Sequence, residues 1–300
     1  MTAFLFPGQG AQFVGMAREL VATLPAARAL FDEATEILGY DLLNLCVNGP
    51  SERLNETDAS QPAIFVASLA ALESLRTTSP EIVAGVTAAA GRSLGEYTAL
   101  VFAGALSFRD ALQVVKARGS AMQAAAMATP SGMIAVLGLE PSEVEVLVAE
   151  ARSAGILEVA NLLCPGNTVV SGTLAALEKF EQVCVAQGGI RTARLAVAGA
   201  FHTTLMKPAD QKLAEALALA TITVPRIPVW SNVDAFPHTD PAEIPQLLVK
   251  QVLSPVLWEA TIRGLMASGV DEFYEIGPGR VLAGLLKRVN RKADITNVGV

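Results

Sequence analysis

The sequence predicts an α/β protein: a large domain with a mostly parallel sheet, interrupted by a smaller inserted ferredoxin-like α+β subdomain. Short apolar runs alternate with helix-length segments towards both ends of the chain, the pattern of strands covered by helices. The middle reads β-α-β-β-α-β, the ferredoxin-like order. Proline and glycine mark both borders of that middle, at Ala128-Thr129-Pro130 and at Ala198-Gly199. Residues 1–128 and 198–300 are therefore assigned to the large α/β domain and 129–197 to the insertion, with a cleft expected between them.

The elements follow in order. Thr2–Phe6 is a short apolar strand closed by Pro7-Gly8-Gln9-Gly10, and an amphipathic helix is expected from Gln12 to about Leu24. Ile82–Ala90 reads as a buried strand stopped by Gly91, and 94–106 as a helix. Ser107-Phe108-Arg109-Asp110 has the form of a capping box, with Asp in the third place, and opens a helix to about Ala126. In the insertion, Met133–Leu139, Leu157–Leu162, Thr168–Ser171 and Arg191–Val197 read as strands, with helices over Ser142–Ala154 and Leu174–Gln187. Beyond it, strands are expected near Pro228–Asn232 and Glu272–Ile276, and helices around 242–253, 259–268 and 280–290.

Composition excludes several classes. The 300 residues are 52% hydrophobic and 17% charged, with a mean hydropathy of +0.43. A membrane-spanning helix needs about 20 predominantly apolar residues. The two longest charge-free stretches, Gly119–Leu139 and Val159–Leu177, are broken by Pro130-Ser131-Gly132 and by Pro165-Gly166-Asn167, so no membrane association is expected. No signal peptide is expected either, since the first apolar run is only Ala3–Phe6 with no basic lead. Cys46, Cys164 and Cys184 form no C-x-x-C pair, which points to free buried thiols, a cytoplasmic location and no zinc site. A net charge of 22 − 29 = −7 argues against nucleic acid as a partner. A monomer is expected.

Gly91-Arg92-Ser93-Leu94-Gly95 matches G-x-S-x-G, with a strand entering and a helix leaving. That context makes it a nucleophile elbow, in which a tight turn lifts the serine hydroxyl above the sheet edge; an ordinary glycine-rich turn is the bland alternative. The glycines are needed because side chains there would strike neighbouring backbone. A serine needs a base beside it, and the chain has two histidines. His202 lies where the chain re-enters the large domain and is preferred to His238, which sits in a proline-bounded loop expected to be solvated. Arg118 shares a helical stripe with Ala111, Val114, Val115 and Met122, opposite Arg109, Gln113, Lys116 and Ser120. A buried guanidinium needs a partner: either an internal acid or a substrate carboxylate. The Phe6–Gln12 loop offers backbone N–H groups to an anion. It fails the dinucleotide fingerprint at Phe13 and reads better as an oxyanion hole facing Ser93.

Together these pieces resemble the malonyl-CoA:acyl carrier protein transacylases and the acyltransferase domains of fatty acid and polyketide synthases. The likeness runs through FPGQGAQ at 6–12, GRSLGEYTAL at 91–100, ARG at 117–119, AN at 160–161 and PGNTVVSG at 165–172. It continues through AGAFHTTLM at 198–206, SN at 231–232, QVLSPVLW at 251–258 and EIGPGRVLAGLLKR at 275–288. The resemblance implies a hydrolase-like large domain and ping-pong transfer of malonyl from malonyl-CoA through a serine ester to holo acyl carrier protein, in fatty acid biosynthesis. It implies Ser93 as nucleophile and His202 as base, the latter oriented by the backbone carbonyl of Gln251. Backbone N–H groups of Gln12 and Leu94 would form the oxyanion hole, Arg118 would bind the malonyl carboxylate, and Phe201 would exclude an α-methyl branch. Gln251 and Arg92 join the candidate substrate-binding residues, and no cofactor or metal is required. The family usually has histidine where this chain has Arg92; that arginine either holds a second oxygen of the substrate or turns away, and activity is expected to survive it. The same residues leave room for a trans-acting polyketide acyltransferase, a malonate decarboxylase transacylase subunit, a serine thioesterase or a non-catalytic acyl-CoA-binding module. A basic patch at Arg280, Lys287, Arg288, Arg291 and Lys292, free of acids from 278 to 293, either docks an acidic carrier protein or is a solvated face.

Overall fold

A computed structural model describes residues 1–300. Ten strands form two sheets. In chain order they are β1 (Thr2–Phe6), β2 (Val86–Gly91), β3 (Ser131–Leu137), β4 (Leu157–Cys164) and β5 (Asn167–Thr173), then β6 (Arg191–Arg194), β7 (Val229–Trp230), β8 (Pro237–His238), β9 (Glu272–Ile276) and β10 (Asp294–Val298). The larger sheet has the order β10-β9-β1-β2-β7-β8 and is parallel except for the β7–β8 pair. The smaller sheet, β4-β5-β3-β6, is antiparallel throughout. This is the mostly parallel α/β architecture with a ferredoxin-like α+β insertion that the sequence predicts.

Burial explains the parallel sheet. Ala3–Phe6 and Ala88–Gly91 are buried almost without interruption, as strands covered on both faces must be. One covering helix, Thr57–Thr78, is buried nearly all round over its first sixteen residues, which apart from Asp58 and Gln61 are apolar or small. The smaller sheet has a core of its own, in which Ile134, Val136 and Val170 meet Val144, Leu147 and Phe180 from the helices Pro141–Ala151 and Leu174–Ala186. Both tryptophans, Trp230 and Trp258, belong to the larger core. The smaller sheet meets the large domain at Val256, which lies in no strand: Leu162 N–H bonds the Val256 carbonyl, and Val256 N–H the Ala160 carbonyl, both at 2.9 Å.

Several elements differ from the sequence reading. The helix expected from Gln12 is only Arg18–Thr23; residues 11–17 are extended or turned, and Ala17 enters the helix at φ 67°. The strand expected from Ile82 starts at Val86, because Pro80 opens a short helix, Pro80–Ala84, ahead of it. The strand at Pro228–Asn232 shortens to β7, and the one at Arg191–Val197 to β6. Strands β8 and β10 and the run of helices between 25 and 78 lie where no element was assigned. No helix is long and apolar enough to cross a membrane. The three cysteines are free and buried.

Candidate active site

Strand β2 runs into the G-x-S-x-G segment and the helix Gly95–Phe102 leaves it, so Ser93 stands at a strand-to-helix turn. Its φ of 51° is left-handed, a conformation that costs a non-glycine residue on the order of 1–3 kcal/mol and clusters at functional sites. The flanking glycines permit the turn. A Cβ on Gly95 would lie 2.1 Å from the Phe6 carbonyl oxygen, and one on Gly91 1.9 Å from the Gly95 carbonyl carbon. His202 follows the return from the smaller sheet and is also left-handed, at φ 61°.

These two residues meet. Ser93 Oγ lies 2.9 Å from His202 Nε2, and His202 Nδ1 lies 2.9 Å from the Gln251 carbonyl. A carbonyl only accepts, so Nδ1 carries the proton and Nε2 of the neutral ring accepts from the serine hydroxyl. Burial is the main force pulling the His202 pKa down to about 4, with the positive fields of Arg118 and Arg92 adding to it against the Gln251 bond. The ring is therefore neutral at pH 7 and free to take a proton.

Arg118 is 1% exposed and reaches the same hydroxyl. Its Nη2 donates to Ser93 Oγ and to Gln251 Oε1, both at 2.9 Å, and its Nη1 to Gln61 Oε1 at 2.7 Å. The guanidinium lies over the Tyr97 ring, 5.4 Å from its centroid. None of its hydrogen-bond partners is a carboxylate, and Nε has no partner at all. Of the two partners open to it from sequence, the internal acid is absent from its contacts.

The Ser93 hydroxyl opens into a cavity at the seam of the two sheets, lined by Gln12, Arg92, Leu94, Arg118, Phe201 and His202 among others. The backbone N–H groups of Gln12 and Leu94 donate to no protein acceptor. Gln12 stands on a loop rather than at a helix end. The loop is tied by Gln12 Nε2 to Asn55 Oδ1 and by Gly10 N–H to Gln12 Oε1, each 2.8 Å. Arg92 is not turned away: Nη2 donates to the Gln9 carbonyl at 2.7 Å, bracing the same loop. Gln251 is fully buried and lies behind the cavity, outside its lining. His238 is apart from the site, and it is not a solvated loop residue. Its nitrogens lie 3.0 Å from Asp234 and 2.9 Å from Glu243. Burial opposes its charge, yet those two carboxylates win and hold its pKa above the ordinary value.

Sequence reasoning missed the supports. Asn232 accepts from Ser93 N–H, Gln61 orients Arg118, and Glu96 is buried behind the elbow. Glu96 had one signal, as the single charge in the apolar helix after the elbow. Gln61 had none.

An elbow serine bonded to a buried histidine, on a parallel sheet and beneath a ferredoxin-like insertion, defines the class: an elbow-serine α/β protein with a cation in its cleft. Comparison narrows this further. The acyl transferase domain family matches residues 3–299, and the chain belongs to that family. It is 44% identical over 293 residues to the malonyl CoA-acyl carrier protein transacylase of Bacillus subtilis, covering 97% of this chain and 90% of that one. The solved acyl-carrier-protein-S-malonyltransferase of Bartonella henselae superposes with a TM-score of 0.95 at 36% identity, covering 100% of this chain and 95% of the other. A malonyl-transacylase in complex with its type II PKS acyl-carrier protein superposes at 0.91 and 37% identity, with coverage of 100% and 95%.

Proposed function

We propose that the protein is a malonyl-CoA:acyl carrier protein S-malonyltransferase serving fatty acid biosynthesis. The observation that carries this reading is Ser93 Oγ at 2.9 Å from both His202 Nε2 and the guanidinium of Arg118, which hydrogen-bonds no carboxylate. Ser93 attacks the thioester carbonyl as its proton passes to His202 Nε2, and the oxyanion forms against the N–H groups of Gln12 and Leu94. The C–S bond breaks and the CoA sulfur takes the proton from His202. The malonyl-serine ester remains, its free carboxylate on Arg118. The carrier protein's phosphopantetheine thiol then gives its proton to His202 and attacks, and serine leaves with that proton. The scheme needs no metal or redox cofactor. Phe201 in the cavity wall disfavours an α-methyl branch, an exclusion worth about 1–3 kcal/mol.

The same reading makes Gln251 a support for Arg118 and His202 rather than a substrate contact, and takes the protein as a cytoplasmic monomer. The basic residues Arg280, Lys287, Arg288, Arg291 and Lys292 are all exposed and none is in an ion pair, which suits the docking of an acidic carrier protein. A second reading, the same chemistry for a polyketide carrier protein, is favoured by the likeness to the transacylase solved with its type II PKS acyl-carrier protein.

Intact-protein mass spectrometry after brief incubation with malonyl-CoA tests the scheme. A malonyl adduct is expected in the wild type and not in Ser93→Ala, and Arg118→Ala is expected to lose the preference for malonyl-CoA over acetyl-CoA. The absence of both an adduct and CoA release would sink the proposal. Steady CoA release without carrier protein and without adduct would make the protein a thioesterase instead.

A further inference from the structure

The scheme above gives Glu96 no task, yet this side chain, 4% exposed, touches two of the residues that hold the reacting groups, Gln251 and Asn232. Its Oε2 accepts from Gln251 Nε2 at 2.7 Å and from Asn232 N–H at 3.1 Å. Asn232 takes the Ser93 N–H on its Oδ1 at 2.5 Å and gives Nδ2 to the Gly91 carbonyl at 2.7 Å, fixing the backbone of the elbow. Gln251 gives Nε2 also to the Ser93 carbonyl at 3.1 Å, offers Oε1 to Arg118 and lends its own carbonyl to His202.

An amide has two ends of nearly equal shape and can sit either way round. A carboxylate only accepts, so it draws the NH2 end of Gln251 to itself and leaves the oxygen for Arg118. Flipped, the amide would set its NH2 group against the guanidinium and its oxygen against both the carboxylate and the Ser93 carbonyl, three repulsive contacts in place of three bonds.

We propose that Glu96 is a positioning residue that locks the Gln251 amide in the orientation holding Arg118 against Ser93, and that the ionised carboxylate is the form that locks. This role rests on the acyl-transfer reading above. A protonated Glu96 could itself donate and would no longer select the NH2 end, leaving only the Ser93 carbonyl and Arg118 to hold the amide. Desolvation raises the Glu96 pKa to about 7, against the bonds from Asn232 and Gln251 and the nearby Arg118; Asp234 adds to the rise. His238, paired with its own two carboxylates, borders the small space on the far side of Glu96. The lock therefore loosens as pH falls through neutrality, whereas His202 stays unprotonated.

The test compares kcat/KM for malonyl-CoA and acetyl-CoA between pH 6 and 8 in the wild type, Glu96→Gln and Gln251→Met. In the wild type the malonyl preference is expected to fall about tenfold from pH 8 to pH 6, the loss of ionised carboxylate for a group near 7. In Glu96→Gln, which keeps the shape but loses the charge, the preference is expected to be low and flat with pH. Gln251→Met cuts the same link from the other side and should also be flat, which serves if Glu96→Gln does not fold. A purely structural role would lower stability and total rate without changing the pH dependence of the preference. If either folded variant keeps the wild-type preference and pH profile, the proposal is overturned. A wild type that forms no malonyl adduct overturns the functional reading as well; an adduct with an unchanged Glu96→Gln overturns this proposal alone.

Discussion

At the scale of single residues, His202 and Glu96 titrate away from their ordinary values in opposite directions, and their effects on stability oppose each other. His202 falls from 6.5 to about 4, so its contribution is present above 6.5 and is lost as pH drops through 4. Glu96 rises from 4.5 to about 7, so its contribution is present below 4.5 and is lost as pH climbs through 7. Between pH 6.5 and 4.5 the unfolded chain binds an extra proton at His202 and the folded one at Glu96. Each effect is about 3 kcal/mol over that window. Urea midpoints are therefore expected to fall more steeply on acidification in Glu96→Gln than in the wild type, and less steeply in His202→Asn. Equal slopes in all three would show that neither group is desolvated as described. Ser93, His202 and Arg118 were legible in the sequence because each breaks a pattern: a serine between glycines, one of two histidines, a charge on an apolar stripe. Gln61 and Asn232 were not, because a neutral amide in a helix or after a strand looks like any other until its neighbour is known.

At the scale of elements, the elbow is a contact between two backbones. Strand β1 pairs with β2 in parallel up to Phe6 opposite Gly91, and the first turn of the following helix lies on the Phe6 carbonyl at Gly95. Gly95→Ala puts a methyl group 2.1 Å from that oxygen. Its expected cost is about 3 kcal/mol of stability, read from the denaturant midpoint, since the neighbour is backbone and cannot rotate away. A change under about 0.5 kcal/mol would mean that the approach is looser than described. Three strands of the smaller sheet, β3, β4 and β5, were legible because short apolar runs and the Pro-Gly-Asn turn mark them, whereas β6, with no buried residue, came out shorter than expected. The loop at 11–17 was not: its apolar spacing mimics a helix, but left-handed backbone at Gly10, Gly15 and Ala17 breaks it. Strand β10, half exposed at the sheet edge, has too few buried positions to advertise itself.

At the scale of the whole molecule, the net charge of −7 means that the proposed acidic carrier protein would have to dock through a local exception. Lys287 and Arg288 lie on the helix Val281–Val289, where Lys287 bonds the Ala293 carbonyl and Arg288 the Pro165 carbonyl, both neutral acceptors. Lys287→Glu with Arg288→Glu is expected to raise KM for the carrier protein at least tenfold and to leave KM for malonyl-CoA within twofold, an effect that shrinks with added salt. Unchanged kinetics with the carrier protein would remove this face from the docking surface.

The hydrogen bond between Ser93 and His202 spans 109 positions of chain, and the entire insertion lies inside that span. In the folded protein the smaller sheet is seated on the larger domain through the hydrogen bonds of β4 to Val256. Both tryptophans belong to the larger core, and that core takes in Met133, Ala135, Ala160, Leu163, Cys164 and Val169 from the smaller sheet, so their fluorescence during refolding reports the seam as well. Native fluorescence and turnover are therefore expected to return together.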